Sequence, residues 1–195
     1  MPEENPYTLA TFAPKAPAFG ERCVVLVGLM GAGKTSIGKR LAKLLHLPFA
    51  DADAEIAKAA GLSIPDIFRL YGEPAFRGGE RRVIKRLLRE GPKVLATGGG
   101  AFMDPETRAA IGKSGISIWL RADIDVLVRR IGRRDDRPLL AEGNPRTILE
   151  NLMKQRHPVY AEADIVVDTG DESAEATVEK VIVALRAVVE KLQPT

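Results

Sequence analysis

The chain has 195 residues, 45% of them hydrophobic and 28% charged, the size and composition of one ordinary domain with a buried core. Its 29 basic and 26 acidic residues leave a formal net charge of +3, too mild a surplus to argue for nucleic acid as a partner. The single cysteine, Cys23, excludes an internal disulfide or a cysteine-based metal cage, and no apolar run approaches the ~20 residues that span a bilayer.

Residues 1–20 carry Pro2, Pro6, Pro14 and Pro17 and show no apolar period, so they read as an irregular extension. The opening residues lack the basic and apolar stretches of a secretory signal, and Glu3 and Glu4 suit a transit peptide badly; the expected address is cytoplasmic. From Glu21 onward strand and helix signals alternate. Residues 23–27 predict a fully buried strand with Cys23 as an inert thiol, followed by a glycine loop and a helix over about 34–46. A short strand over 48–50 ends at Asp51 and Asp53, and a helix over 54–60 stops at Gly61. Ser63 is the expected N-cap of the next helix, with Asp66 three residues on. A charged amphipathic helix over 73–90 is closed by Gly91 and Pro92.

Residues 93–96 predict a strand leading into Thr97 and three consecutive glycines, Gly98, Gly99 and Gly100. Asp104 caps a helix to about Gly112, residues 116–120 form a strand, and Asp123 caps a helix to about Ile131. Residues 132–144, rich in Gly, Arg and Asp, read as a mobile loop. A helix over 145–156, a strand over 164–167 and a helix over 173–192 complete the chain. Short apolar strands alternating with helices imply an α/β fold, a parallel sheet of about five strands covered by helices on both faces, within one domain over 21–195. Ligands in such sheets bind at the carboxyl ends of the strands, where three unusual segments fall: the glycine loop, the Asp51/Asp53 pair and the triple glycine.

Residues 28–35, Gly-Leu-Met-Gly-Ala-Gly-Lys-Thr, fit the G-x-x-x-x-G-K-[ST] phosphate loop in full. Such a loop curls its backbone so that successive N–H groups face phosphate oxygens, and the following helix adds its positive end. Gly31, Ala32, Gly33, Lys34, Thr35 and Ser36 are therefore the candidate nucleotide-binding residues, with Lys34 reaching the β- and γ-phosphates and the Thr35 hydroxyl a ligand for Mg²⁺. No Asn-Lys-x-Asp guanine-reading motif occurs, which weakens a GTPase reading.

Seven motifs in order, from about Val24 to Asp168, resemble the shikimate kinase family. They are residues 28–35, Asp51-Ala-Asp53, residues 63–68, Gly72-Glu-Pro-Ala-Phe-Arg77 with Glu80, the glycines 98–100, Arg137-Pro-Leu-Leu140 and Arg156-His-Pro-Val-Tyr160. The resemblance implies a three-layer α/β/α P-loop kinase fold, similar to the nucleoside monophosphate kinases, with a mobile lid over about 132–144. It also implies transfer of the γ-phosphoryl group of MgATP to the 3-hydroxyl of shikimate, in aromatic amino-acid synthesis, by a monomer. On this reading Arg77 and Arg156 grip the shikimate carboxylate, as guanidinium forks suit, and Glu80 steadies Arg77 from one helical turn away. Asp53 orients the attacking hydroxyl or takes its proton, and Asp51 lies beside the Mg²⁺ water shell. If both residues lay in a strand, their i, i+2 spacing would point them to one side. Asp53 is also a candidate N-cap for a helix starting at Ala54.

The resemblance further implies that Gly98, Gly99 and Gly100 let a backbone N–H, that of Gly99, approach the substrate. Arg137 is the lid arginine that reaches the phosphates, and Arg130, rather than its neighbour Arg129, lies over the adenine ring. Lys34, Asp53 and Arg137 are thus the expected catalytic residues. Some positions depart from the family: the lid is unusually charged at residues 133–136, and residues 170–173 carry no evident adenine contact. His46 and His157 are not promising catalysts. Two other readings stay open from the sequence, a kinase for another small acceptor such as gluconate and a catalytically silent nucleotide-binding regulator.

Overall fold

The computed structural model describes residues 20–132 and 143–192. Almost all of the expected N-terminal extension, and lid residues 133–142 with Arg137, therefore lie outside the described residues.

Five strands form one wholly parallel sheet in the order β2-β3-β1-β4-β5: β1 (Cys23–Val27), β2 (Phe49–Asp51), β3 (Val94–Ala96), β4 (Gly115–Ala122) and β5 (Ile165–Thr169). All of β1 and β3 are buried, because helices cover both faces and the strands have no polar side to show. This is the three-layer α/β/α arrangement expected. The helices are α1 (Lys34–Leu45), α2 (Ala52–Ala60), α3 (Ile64–Arg89), α4 (Pro105–Ser114), α5 (Ile124–Ile131), α6 (Pro145–Tyr160) and α7 (Ala174–Leu192), with a 3₁₀ turn at Ala101–Met103. Leu26, Leu95 and Ile118 of adjacent strands are fully buried, each such side chain contributing about 1.5–3 kcal/mol. Cys23 is buried as expected, and burial pushes its thiol above the ordinary range, which keeps it protonated and inert.

Chain order explains where a ligand can sit. From β1 the chain crosses to the edge strand β2, returns to β3 beside β1, and then crosses to β4 on the far side of β1. The loops after β1 and β3 therefore stand side by side over the carboxyl edge, with the residues after β2 next to them.

Local sequence sets the segment ends. The two expected helices around Gly72 are continuous as α3 except for a break at that residue, whose φ of 77° and ψ of 171° leave the helical region. Pro74 then begins the second segment, where its missing N–H costs nothing. Ser63 caps α3 by accepting from the Asp66 N–H, and Asp104 caps α4 by accepting from the Thr107 N–H. Asp123 stands at the N-cap position of α5 but its side chain makes no capping hydrogen bond. Helix α6 runs one turn further than expected, through Pro158 to Tyr160.

Two expectations about the acidic pair are corrected. Helix α2 starts at Ala52, and its N-cap is Asp51, whose Oδ1 accepts from the N–H groups of Asp53 (3.1 Å) and Ala54 (3.4 Å). Asp53 is therefore not the cap. Nor do the two carboxylates share a strand face: Asp51 ends β2 and Asp53 lies in the first turn of α2, so the chain's turn into helix brings them together.

Candidate active site

The phosphate loop leaves β1 at Val27 and enters α1 at Lys34, with positive φ at Gly28 (136°), Gly31 (82°) and Gly33 (94°). These angles curl the backbone into the concave form that presents N–H groups to an anion. The Lys34 ammonium bends back over the loop and donates to the carbonyls of Gly28 (2.7 Å) and Leu29 (2.8 Å). At the start of α1 the Thr35 hydroxyl donates to Asp51 Oδ2 at 2.8 Å, joining the loop to the end of β2.

The Thr35–Asp51 pair could hold a divalent cation. A hydroxyl and a carboxylate offer hard oxygen donors, and the described residues hold no group of three or more His, Cys, Asp or Glu that would make an all-protein cage. Two oxygen ligands beside a phosphate loop suit Mg²⁺, which keeps most of its waters and shares phosphate oxygens. The loop packs closely on the end of β4: a methyl at Gly28 would meet the Leu120 carbonyl at 2.7 Å, so the curl has no room for a side chain there.

One cavity of about 1010 Å³ runs along the carboxyl edge and joins the phosphate loop to the other predicted residues. Gly31, Ala32, Gly33, Lys34, Thr35, Ser36, Asp51, Asp53, Arg77, Glu80, Gly98, Gly99, Gly100, Arg130 and Arg156 all line it. Of the predicted site residues only Arg137 is missing from this wall, since it lies outside the described residues.

At one end, Arg130 bridges the phosphate loop to the turn after β5, donating to the carbonyls of Gly31 (3.5 Å) and Gly170 (2.6 Å). Its neighbour Arg129 turns away to Asp171 on the surface, which separates the two arginines by geometry. Glu172 holds the same turn by accepting from the Gly170 N–H at 2.8 Å; its carboxyl is drawn down to about 2 chiefly by the hydrogen bond from Lys180. Next to this turn the Thr169 hydroxyl is buried in the cavity wall and has no hydrogen-bond partner among the described residues. The sequence reading passed over it, because one threonine at a strand end carries no signal by itself.

At the other end the charges are packed against the triple glycine. Arg77 is held by two acids of its own helix, donating to Glu73 (3.0 and 3.2 Å) and to Glu80 (2.8 Å). Glu80 is only 3% exposed; burial pushes its carboxyl above the ordinary range against the pull of Arg77, and the nearby charges of Asp53 and Asp104 add to that rise. Arg156 reaches over from α6 and donates to the Gly99 carbonyl at 3.0 Å. Ile64, Pro65, Phe68 and Phe76 complete this end with an apolar wall.

Two of the three glycines leave space that these side chains occupy. A methyl at Gly98 would fall 2.7 Å from Asp53 Oδ1 and 2.9 Å from Glu80 Oε1; one at Gly100 would fall 2.5 Å from Arg77 Nη1. At Gly99 it would lie 3.4 Å from Arg156 Nη1 and 3.5 Å from the Met30 nitrogen of the phosphate loop. A side chain at Gly98 or Gly100 would collide with Asp53, Glu80 or Arg77, whereas a methyl at Gly99 would make ordinary contact with Arg156 and the phosphate loop. Neither histidine joins the site: His46 caps the end of α1, and His157 lies edge-on to Trp119 with its ring centroid 4.9 Å away. Burial, reinforced by Arg121, lowers the His157 pKa and keeps that ring neutral.

The arrangement juxtaposes an anion cradle with its lysine, a cation site, and a compact pocket of two arginines and a carboxylate with an apolar wall. The family described as shikimate kinase matches residues 30–186. The shikimate kinase of Paramagnetospirillum magneticum is 55% identical over 177 residues, covering 91% of this chain and 91% of its own. That of Brucella canis is 53% identical over 174 residues, covering 89% and 87%. Among solved structures, the shikimate kinase of Acinetobacter baumannii in complex with shikimate superposes with a TM-score of 0.83 at 37% identity, covering 86% of this chain and 94% of the other.

Proposed function

The chain belongs to the shikimate kinase family, and from that premise we propose how its residues divide the transfer of the ATP γ-phosphoryl group to the 3-hydroxyl of shikimate. The observation that carries the reading is the single cavity in which a phosphate loop opens onto Arg77, Arg156 and Asp53. Shikimate is a small carbon ring with one carboxylate and three hydroxyls, so each of its parts has a counterpart there. The guanidinium groups of Arg77 and Arg156 take the carboxylate, and the wall of Phe68 and Phe76 takes a ring face. Asp53 accepts a hydrogen bond from the attacking hydroxyl and orients its oxygen toward the phosphate loop.

The transferring group is held from the loop side. The N–H groups of residues 31–36 and the Lys34 ammonium would face the phosphates, and Thr35 and Asp51, joined by a hydrogen bond, would hold the Mg²⁺ ion. When bound, Mg²⁺ supplies positive charge to the phosphate oxygens and fixes their orientation. The hydroxyl oxygen forms its bond to the γ-phosphorus as the bond to the bridging oxygen of the departing ADP breaks, and the hydroxyl proton leaves by way of Asp53. Arg130 and the turn at Gly170 bound the space for the base, where Thr169 offers a buried hydroxyl. This reading gives Arg137, which lies outside the described residues, the role of reaching the phosphates. The same reading takes residues 21–195 as one kinase domain, acting as a cytoplasmic monomer. Among the described residues no helix is long and apolar enough to cross a membrane.

The division of labour is tested on the acceptor end. Arg77→Ala removes one of two guanidinium contacts to a carboxylate, charge-assisted bonds of about 1.5–3 kcal/mol, or roughly ten- to a hundredfold. The expected outcome is a rise of that size in KM for shikimate with KM for ATP changed less than about twofold, measured by steady-state kinetics at saturating co-substrate. Equal rises in both constants would remove Arg77 from the acceptor pocket.

A further inference from the structure

The carbonyl of Gly99 accepts two hydrogen bonds, one from Arg156 Nη1 at 3.0 Å and one from the hydroxyl of Tyr160. Arg156 and Tyr160 are four residues apart on α6 and so project from one face of the helix. Tyr160 is fully buried, its ring 5.7 Å from that of Trp119 and 6.4 Å from that of Phe102. A core ring in that place could be phenylalanine. The hydroxyl is instead directed at the one peptide oxygen on which Arg156 also rests.

The two arginines of the acceptor pocket are held by opposite means. Arg77 is fixed by the acids Glu73 and Glu80, which neutralise part of its charge. Arg156 has no acidic partner within 4.0 Å among the described residues; it rests on neutral groups, the Gly99 carbonyl and the adjoining Tyr160 hydroxyl. An arginine oriented by a peptide oxygen keeps its full charge for an incoming carboxylate. That orientation depends on the Gly99 peptide staying where it is. The glycine has no side chain to anchor it, and its neighbours on the other side are backbone atoms of the phosphate loop, Met30 N and Gly28 O.

We propose that Tyr160 is a positioning residue for the acceptor carboxylate: its hydroxyl pins the Gly99 carbonyl, and through it the Arg156 guanidinium, without neutralising that charge. Burial raises the Tyr160 pKa to about 12, against the opposing influence of Arg156, so the hydroxyl stays protonated and donates throughout the working pH range. The proposal rests on the assignment of Arg156 to the shikimate carboxylate.

The test is a calorimetric titration of the purified full-length chain with shikimate, for the unaltered protein, Tyr160→Phe, Arg156→Ala and the double variant. Phenylalanine keeps the ring and removes only the hydroxyl. The fitted stoichiometry reports the folded fraction separately from Kd, so partial misfolding does not mask the result. Tyr160→Phe is expected to weaken shikimate binding about tenfold, the effect of one buried hydrogen bond, and to leave KM for ATP within about twofold. In the Arg156→Ala background the same change is expected to add less than about twofold, because its effect passes through the arginine. Unchanged shikimate affinity in Tyr160→Phe, or an equal loss in both backgrounds, overturns the proposal. An unaltered chain that fails to bind shikimate overturns the acceptor assignment and this proposal with it; an unaltered chain that binds while Tyr160→Phe binds equally well overturns the proposal alone.

Discussion

Lys34→Met lowers kcat by about a hundred- to a thousandfold while shikimate affinity stays within a few fold. The ammonium is the one side-chain positive charge that residues 28–35 supply, and the carbonyls of Gly28 and Leu29 hold it over the loop. A cation placed before the reaction costs no reorganisation as charge develops on the transferring group, and loss of one such preorganised donor is worth about 3–4 kcal/mol. Methionine has nearly the same helix propensity and a similar straight chain, so α1 and the packing behind it remain. Steady-state kcat together with calorimetric shikimate binding distinguishes the cases. A variant that keeps more than a tenth of the activity would show that Lys34 only braces the loop.

Asp53→Asn is expected to lower kcat by about a hundred- to ten-thousandfold, the range for a positioned acid or base, with ATP affinity retained. The amide preserves size but presents a donor where the hydroxyl needs an acceptor. The substitution also leaves the local fold intact, because the N-cap of α2 is Asp51 and the Asp53 contribution to that cap is its backbone N–H. A fully active asparagine variant, measured at saturating shikimate and MgATP, would reduce Asp53 to a neighbour of Gly98 and Glu80.

The sequence disclosed the parts of this account that are local. A buried strand, eight residues of phosphate loop and an amphipathic helix are contiguous, so the pattern and its context could be read together. The alternation of short apolar strands with helices likewise pointed to a parallel, doubly covered sheet. The crossover that puts β3 between β2 and β1 is set by packing across the whole chain, and no residue announces it. The D-x-D pair shows the same limit at short range. Either aspartate could have been the cap, and the choice fell to Asp51 because Ala52, buried without exposure, already belongs to the helix.

The triple glycine was visible as unusual, but its cause was not. Its close neighbours, Asp53, Arg77 with Glu80, and Arg156, come from α2, α3 and α6, which are distant in sequence and meet only over the end of β3. Tyr160 was present in a recognised motif and went unremarked, since the helix was expected to stop at Arg156, before Pro158. With one further turn, the i, i+4 spacing from Arg156 places the hydroxyl and the guanidinium on one carbonyl. Arg130 and Arg129 were separable only in three dimensions, where one bridges two loops at the cavity and the other pairs with Asp171.

The most direct test of the central claim is ADP release from ATP by the purified chain, with and without Mg²⁺, in the presence of shikimate, gluconate or quinate. The account predicts Mg²⁺-dependent release strongly stimulated by shikimate and not by the other two, because only shikimate combines a ring flattened by its double bond, the carboxylate for Arg77 and Arg156, and the hydroxyl facing Asp53. Release stimulated equally by gluconate, or ATP binding with no acceptor-dependent release at all, would contradict it.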